Sequence, residues 1–297
     1  AQPIPFVWQQ IEENYGTISD EFAFCASIPS SQLDDLLSEM SACGYQPLQV
    51  RTYLVDGCHR AAVVWMRGNT AWQYRIHQRA EEILEIDAES QRQGFRCIDL
   101  SSTVTRDQHV VYDATWHFAG QTPYETKLVM EQPPHEADEQ IQLLEDAGYN
   151  IRRITFAPST GVSPQFSCLC DKRTDIPFSY RAATGDLERF EADIFPGLLL
   201  TDGRLYNSCE GEHESGWEFA AIWQISTTHE SQAVMAESPD DLVKGVQRLA
   251  GENYRPQSIS VGVGGGSAVW ACIASRPIVA DVDKERLGKR KANAAVA

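Results

Sequence analysis

Most of the signatures that would name this chain's class are missing from it. No apolar run approaches the ~18 residues a bilayer-spanning helix needs, so membrane insertion is not expected. Basic residues are few: 25 Lys and Arg stand against 42 Asp and Glu, a formal net charge of −17. Such a surface repels phosphate backbones and anionic headgroups, which argues against a nucleic-acid partner. C-x-x-C does not occur, and no two His stand at helical spacing, so no metal is expected. No Lys follows a Ser at S-x-x-K spacing, and the nearest approach to G-x-S-x-G, Gly265-Gly266-Ser267-Ala268-Val269, lacks the final Gly. The Gly262–Gly266 run has neither the third Gly of a dinucleotide fingerprint nor the Lys of a phosphate loop, and it reads as a hairpin turn or bulge. The expectation is therefore no catalytic residue and no cofactor.

What remains is an ordinary globular inventory. The chain has 297 residues, is 42% apolar and carries 28 aromatics (11 Phe, 10 Tyr, 7 Trp), enough to bury a real core. It opens Ala1-Gln2-Pro3-Ile4-Pro5, as a chain does after leader cleavage or as a piece of a longer polypeptide. Residues 284–297 turn basic and Ala-rich (Lys284, Arg286, Lys289, Arg290, Lys291), which reads as a linker or tail. Eight Cys sit mostly inside apolar runs, where they read as buried free thiols. Compartment stays undecided on that basis, an extracytoplasmic location being one option.

The strongest signal is internal repetition. A helix-end signature recurs as Cys43-Gly44-Tyr45, Gln93-Gly94-Phe95, Ala147-Gly148-Tyr149 and Glu252-Asn253-Tyr254, with a weaker copy at Pro196-Gly197-Leu198. The punctuating residues lie 50, 54, 49 and 56 positions apart. Gly adopts the left-handed conformation that ends a helix, and Asn is its usual substitute. Upstream of each lies one apolar helical stripe: Leu33, Leu37 and Met40; Ile83, Ile86 and Ser90; Ala137, Ile141 and Leu144; Leu187, Phe190 and Ile194; Leu242, Val246 and Leu249. Ser238-Pro239-Asp240-Asp241 offers a helix start with an N-cap Ser and Pro in the first turn.

Downstream, each signature leads into a hairpin. The first runs Leu48 to Leu54, turns at Asp56-Gly57 and returns as Ala61 to Met66. A third short strand follows, with alternating aromatics at Trp72 and Tyr74 and at Phe178 and Tyr180; Phe6 and Trp8 read as the same element. The expected fold is α+β: tandem repeats of about 50 residues, each strand-helix-strand-strand, forming a curved and mostly antiparallel sheet with helices on one face. Half-barrel and ring both remain open. One repeat domain is expected over 1–283, with a partial unit at 1–28 and units near 29–79, 80–130, 131–181, 182–236 and 237–283.

Gly44-Tyr45-Gln46-Pro47, Val50, Tyr53, Gly57 and Arg60-Ala61-Ala62-Val63-Val64-Trp65 together resemble a unit of the bacterial tandem-repeat domain family, roughly G-Y-R-P, a β run, then R-Y-A-A-V-W. Trp72 with His77, and Tyr254-Arg255-Pro256 with Ile259, are similar to further segments of that pattern. In the middle of the chain Trp116 and Trp223 survive, while Cys168-Leu169-Cys170 stands in place of the Trp motif. The resemblance implies tandem α/β repeats that accompany catalytic domains, as in β-lactamase-like polyglycine hydrolases and some bacterial protein kinases.

The repeated aromatics have two readings. Trp65, Trp116 and Trp223 fill the space between sheet and helix in each unit, or they join Trp72, Tyr74, Phe178 and Tyr180 in a stacking platform for a peptide or glycan. The functional expectation is a non-catalytic module that binds or positions a protein or peptide partner, a substrate or an adjacent catalytic domain. The rivals are a structural assembly subunit and a stand-alone hydrolase with a Ser or Cys nucleophile, the latter through Cys58 or Cys168 beside a His. The acidic loop Glu210, Glu212, His213 and Glu214 reads as a solvated loop.

Overall fold

The computed structural model describes residues 6–107, 109–120, 124–157, 165–172, 180–186, 198–208, 216–264 and 267–278. The stripe Leu187, Phe190 and Ile194, the helix end at Gly197, Phe178, the acidic loop and the basic tail lie outside them. So do Gly265 and Gly266 of the Gly-rich run.

The architecture is α+β, built of five small antiparallel sheets, none of which closes on itself. After helix α1 (Phe6–Glu13) come β1 (Gly16–Ile18), β2 (Phe22–Pro29), α2 (Leu33–Ala42), β3 (Tyr45–Val55) and β4 (Cys58–Arg67). The second sheet uses β5 (Trp72–Gln78), β6 (Phe95–Val104) and β7 (Val110–Phe118), with α3 (Ala80–Arg92) following β5. The third uses β8 (Glu125–Gln132), β9 (Asn150–Ala157) and β10 (Gln165–Lys172), with α4 (Pro134–Asp146). β11 (Tyr180–Asp186), β12 (Leu198–Ser208) and β13 (Gly216–Ile225) make the fourth. The last has β14 (His229–Ala236), α5 (Pro239–Gly251), β15 (Arg255–Gly264) and β16 (Ser267–Pro277).

Strand order is the same throughout. The sheets read β1-β2-β4-β3, β5-β7-β6, β8-β10-β9, β11-β13-β12 and β14-β16-β15. In the four sheets whose helix is among the described residues, the hairpin therefore pairs with the strand that precedes that helix. Trp72–Gln78 bonds to β7 of the hairpin downstream, which sets the sheets in a different frame from units beginning near residues 29 and 80. One element differs in kind from its sequence reading. Phe6 and Trp8 lie on helix α1, where Val7 and Ile11, four residues apart, are the buried pair. The period-2 reading of the aromatics fails there because they sit on the less buried side of a helix.

Local chemistry explains the turns. Gly44, Gly94 and Gly148 take φ values of 82°, 86° and 88°, and Asn253 takes 67°, each directly after a helix. Asp56 and Gly57 both have positive φ, 49° and 69°, the type I′ condition for a two-residue hairpin. Ser238 caps α5 by accepting the Asp241 N–H at 3.2 Å, with Pro239 in the first turn.

Helices α2, α3 and α5 each pack between their own sheet and a strand of another sheet. Leu33, Leu37 and Met40 of α2 join Val63 and Trp65 in one core, against which Trp72, Tyr74 and Ile76 pack. Ile83 of α3 shares a core with Leu128 and Met130 of β8. Leu242 and Val246 of α5 share one with Phe22, Phe24 and Ala26 of β2, far away in sequence. The third sheet's core likewise takes in Ile222 of β13. The inner strands touch in sequence: β3 contacts β6, β6 contacts β9, β9 contacts β12, β12 contacts β15, and β15 contacts β3.

Candidate functional site

The inner strands share an irregularity. A register shift follows Pro47 in β3 and Cys97 in β6, and equivalent shifts interrupt β9, β12 and β15. The bulge turns the next residue of β3, β6, β9 and β15 inward: Gln49, Asp99, Arg153 and Ser258. Asp202 holds the same register position in β12, and each of these residues lies five positions beyond the punctuating Gly or Asn. Their polarity was passed over in the sequence reading, although the fixed offset was there to be found.

Among the described side chains these residues bind one another. The Asp99 carboxylate accepts from Arg51 at 2.7 Å and from Gln49 at 3.1 Å, and Arg153 Nε lies 3.3 Å away. Gln49 donates to Ser258 Oγ at 3.4 Å and accepts the Ile259 N–H at 2.7 Å. Asp99 and Gln49 are fully buried. A second buried carboxylate, Asp113, accepts the Thr52 N–H and hydroxyl and the His77 N–H. Burial pushes its pKa up, against those hydrogen bonds. The cluster lies almost wholly out of solvent, so its chemistry is cohesive: it ties the first, second, third and fifth sheets together.

The aromatics singled out by sequence part company. Trp65 and Trp116 are fully buried between sheet and helix, and Trp116 donates its indole N–H to Asp87 on α3 at 2.9 Å. Burial raises the Asp87 pKa, partly offset by that bond. Trp223 pairs with Arg181 and Leu200 on its strand ladder, and Tyr180 pairs with Gln224; their side chains, like Phe178, lie outside the described set. Trp72 and Tyr74 are partly buried neighbours, with ring centroids 6.0 Å apart and planes tilted by 40°. Together with Asp34, Leu37, Ser38, Ser41 and Ala42 of α2 they line an open groove of about 530 Å³. The Tyr74 hydroxyl donates to the Asp34 carboxylate and holds the ring in place.

The buried thiols of Cys25, Cys97, Cys168 and Cys272 are poor nucleophiles. Burial pushes Cys25 and Cys272 up to about 12. Cys168 is raised by its hydrogen bond with Cys170 (Sγ–Sγ 3.6 Å) and by burial. Cys58 is exposed at a hairpin tip beside His59, whose ring lies 5.1 Å from that of His77. Desolvation and then the His77 and Arg106 charges lower the His59 pKa. Among the described residues no three His, Cys, Asp or Glu side chains gather as a metal site, and no helix is long and apolar enough to cross a membrane.

No curated protein matches the chain. Residues 26–68, which span the end of β2, helix α2 and the hairpin β3–β4, do match a family model, and over that stretch the chain is similar to the polyglycine hydrolase-like structural repeat.

Proposed function

We propose that the chain is a closed ring of five strand-helix-strand-strand units, and that it acts as a non-catalytic module that binds or positions a partner, a substrate or an adjacent catalytic domain. The observation that carries the reading is the match of residues 26–68 to a repeat described as structural, in a family named for hydrolases. The cyclic order of inner-strand contacts supports the ring. The buried polar centre supports a cohesive role for its charged groups, since Arg51 and Arg153 pair with Asp99 in the interior instead of facing a cleft.

The Trp72/Tyr74 groove is the surface where a partner or substrate docks in this reading. A net charge of −17 disfavours a nucleic-acid partner. The test is covalent profiling of the intact chain with a broad fluorophosphonate and a cysteine-directed electrophile. The expected outcome is no stoichiometric labelling that depends on the fold. Labelling of a single Ser or Cys, abolished by denaturation, would overturn the non-catalytic reading.

A further inference from the structure

The groove is a departure from the way the same junction is built elsewhere in the molecule. Counting along the ladders from Trp65 and Trp116, Trp72 and Tyr74 occupy the places of Phe22 and Phe24. Phe22 and Phe24 are sealed in a core with Leu242, Val243 and Val246 of α5. Counting back from the helix ends at Gly44 and Asn253, Asp34 of α2 stands where α5 has the buried Val243, and Ser41 where it has Ala250. One junction is thus closed by apolar side chains. The other leaves two aromatic rings only partly buried beneath a carboxylate and two hydroxyls. A junction whose task was packing alone would bury those rings, each able to remove on the order of 150–250 Å² from water.

We infer that this groove binds a neutral pyranose oligosaccharide, with Trp72 and Tyr74 as the stacking surface and Asp34, Ser38 and Ser41 as hydrogen-bonding partners for its hydroxyls. The inference rests on the groove being the docking surface of the module. Its chemistry selects the ligand class. A pyranose presents an apolar C–H face to an aromatic ring and a rim of hydroxyls to carboxylate and hydroxyl oxygens, so one ligand uses both halves of the groove. Asp34 also fixes the Tyr74 ring, so a face is presented without an ordering cost on binding. No basic side chain lines the groove, and Asp35 and Glu39 share the exposed side of α2 with Asp34, which disfavours phosphorylated or uronic ligands. An extended peptide anchors through alternate side chains in separate pockets. This groove is instead a single open trough.

The experiment is saturation-transfer NMR and calorimetry on the full chain with cellohexaose, xylohexaose and laminarihexaose. At least one should bind, with Trp72→Ala weakening it by about tenfold or more. Asp34→Ala should weaken it about threefold to tenfold, the effect of losing one or two modest hydrogen bonds. Tyr74→Phe keeps the ring, frees it from Asp34 and should fall between these and the parent. Thermal melts identify any variant that is simply unfolded, and Tyr74→Phe serves as the readout if Trp72→Ala is. Absence of transfer to all three sugars from the folded parent overturns the proposal, as does binding that folded Trp72→Ala leaves intact. Either result leaves the module reading standing, because that reading is overturned by covalent labelling of the parent in a separate sample. Binding of a basic peptide that Trp72→Ala abolishes, with no sugar bound, would assign the groove to a polypeptide and overturn the saccharide.

Discussion

At Gly94 a β-carbon would sit 3.0 Å from the Phe118 ring, on a backbone whose φ of 86° already disfavours any L side chain. Gly94→Val should therefore cost on the order of 1–2 kcal/mol, read as a lowered melting temperature. Asn253, at φ 67°, tolerates the same conformation, so Asn253→Gly should be neutral or slightly stabilising in the same assay. The aromatic residue after each of these positions is held by the end of the middle strand. Arg67 lies over Tyr45 and donates to the Cys43 carbonyl, and Arg276 lies over Tyr254 and donates to the Glu252 carbonyl. Each arginine thus satisfies a helix-end carbonyl while stacking on the ring that follows. Another residue-scale expectation concerns acid. Burial lowers the His117 pKa, even though Nε2 donates to the Pro47 carbonyl at 2.7 Å. A histidine kept neutral by the fold contributes nothing adverse above its unfolded pKa of about 6.5, and costs stability as pH falls below that value. The melting temperature should drop between pH 7.5 and 5.5, and drop less in His117→Gln, which keeps a donor for Pro47. Equal acid sensitivity of the two proteins would contradict this.

The inner strands show what packing adds to the elements. Asp99 holds two arginines in a site without solvent, and removing one member of a buried ionic cluster strands the others. Asp99→Ala should cost about 3–5 kcal/mol by chemical denaturation, and Asp99→Asn less, because it keeps hydrogen-bonding capacity. A loss below about 1 kcal/mol for the alanine variant would mean the cluster is not cohesive. Helices and hairpins were legible from sequence because their signals are local: the stripe Leu33, Leu37, Met40 is buried on α2, and Asp56-Gly57 makes the turn. Partner choice was not. Strand β5 follows the first hairpin directly yet bonds to the next one, and nothing within Trp72–Gln78 distinguishes those neighbours. The short α1 was misread because two aromatics two residues apart fit a strand as well as a helix. The polar centre escaped notice because a lone Gln, Asp, Arg or Ser on a strand reads as solvent-facing until bulges turn Gln49, Asp99, Arg153 and Ser258 inward. In the candidate groove, the sequence marked Trp72 and Tyr74, but Asp34 and Ser38 came into view only when α2 was set against β5.

Topology decides how the whole molecule should fail. If five units stood in an open row, removing the fifth would bare one surface, the side of the fourth that it covered. In a closed ring the same deletion bares a second surface on the first unit. Strand β15 touches both β12 and β3, and α5 packs on β2. The core that would be torn is substantial: Leu242, Val246, Ile259 and Trp270 leave, and Phe22, Phe24 and Tyr53 are uncovered. Tyr53 also loses its edge contact with Trp270, 6.2 Å between centroids, and Gln49 loses Ser258 and the Ile259 N–H. Neighbour interfaces carry much of the stability in such arrays, so the loss should exceed the deleted unit's own share of core. A chain ending before His229, where β14 begins, should bind a hydrophobic dye or aggregate. Its amide exchange should accelerate in two separate places, residues 198–208 of β12 and residues 22–29 and 49–53 of the first sheet. Faster exchange in β12 alone, with the first sheet as protected as in the parent, would rule out closure and leave an open row. A truncated chain that stays soluble and unfolds cooperatively with parental protection throughout would mean that the fifth sheet is an independent domain.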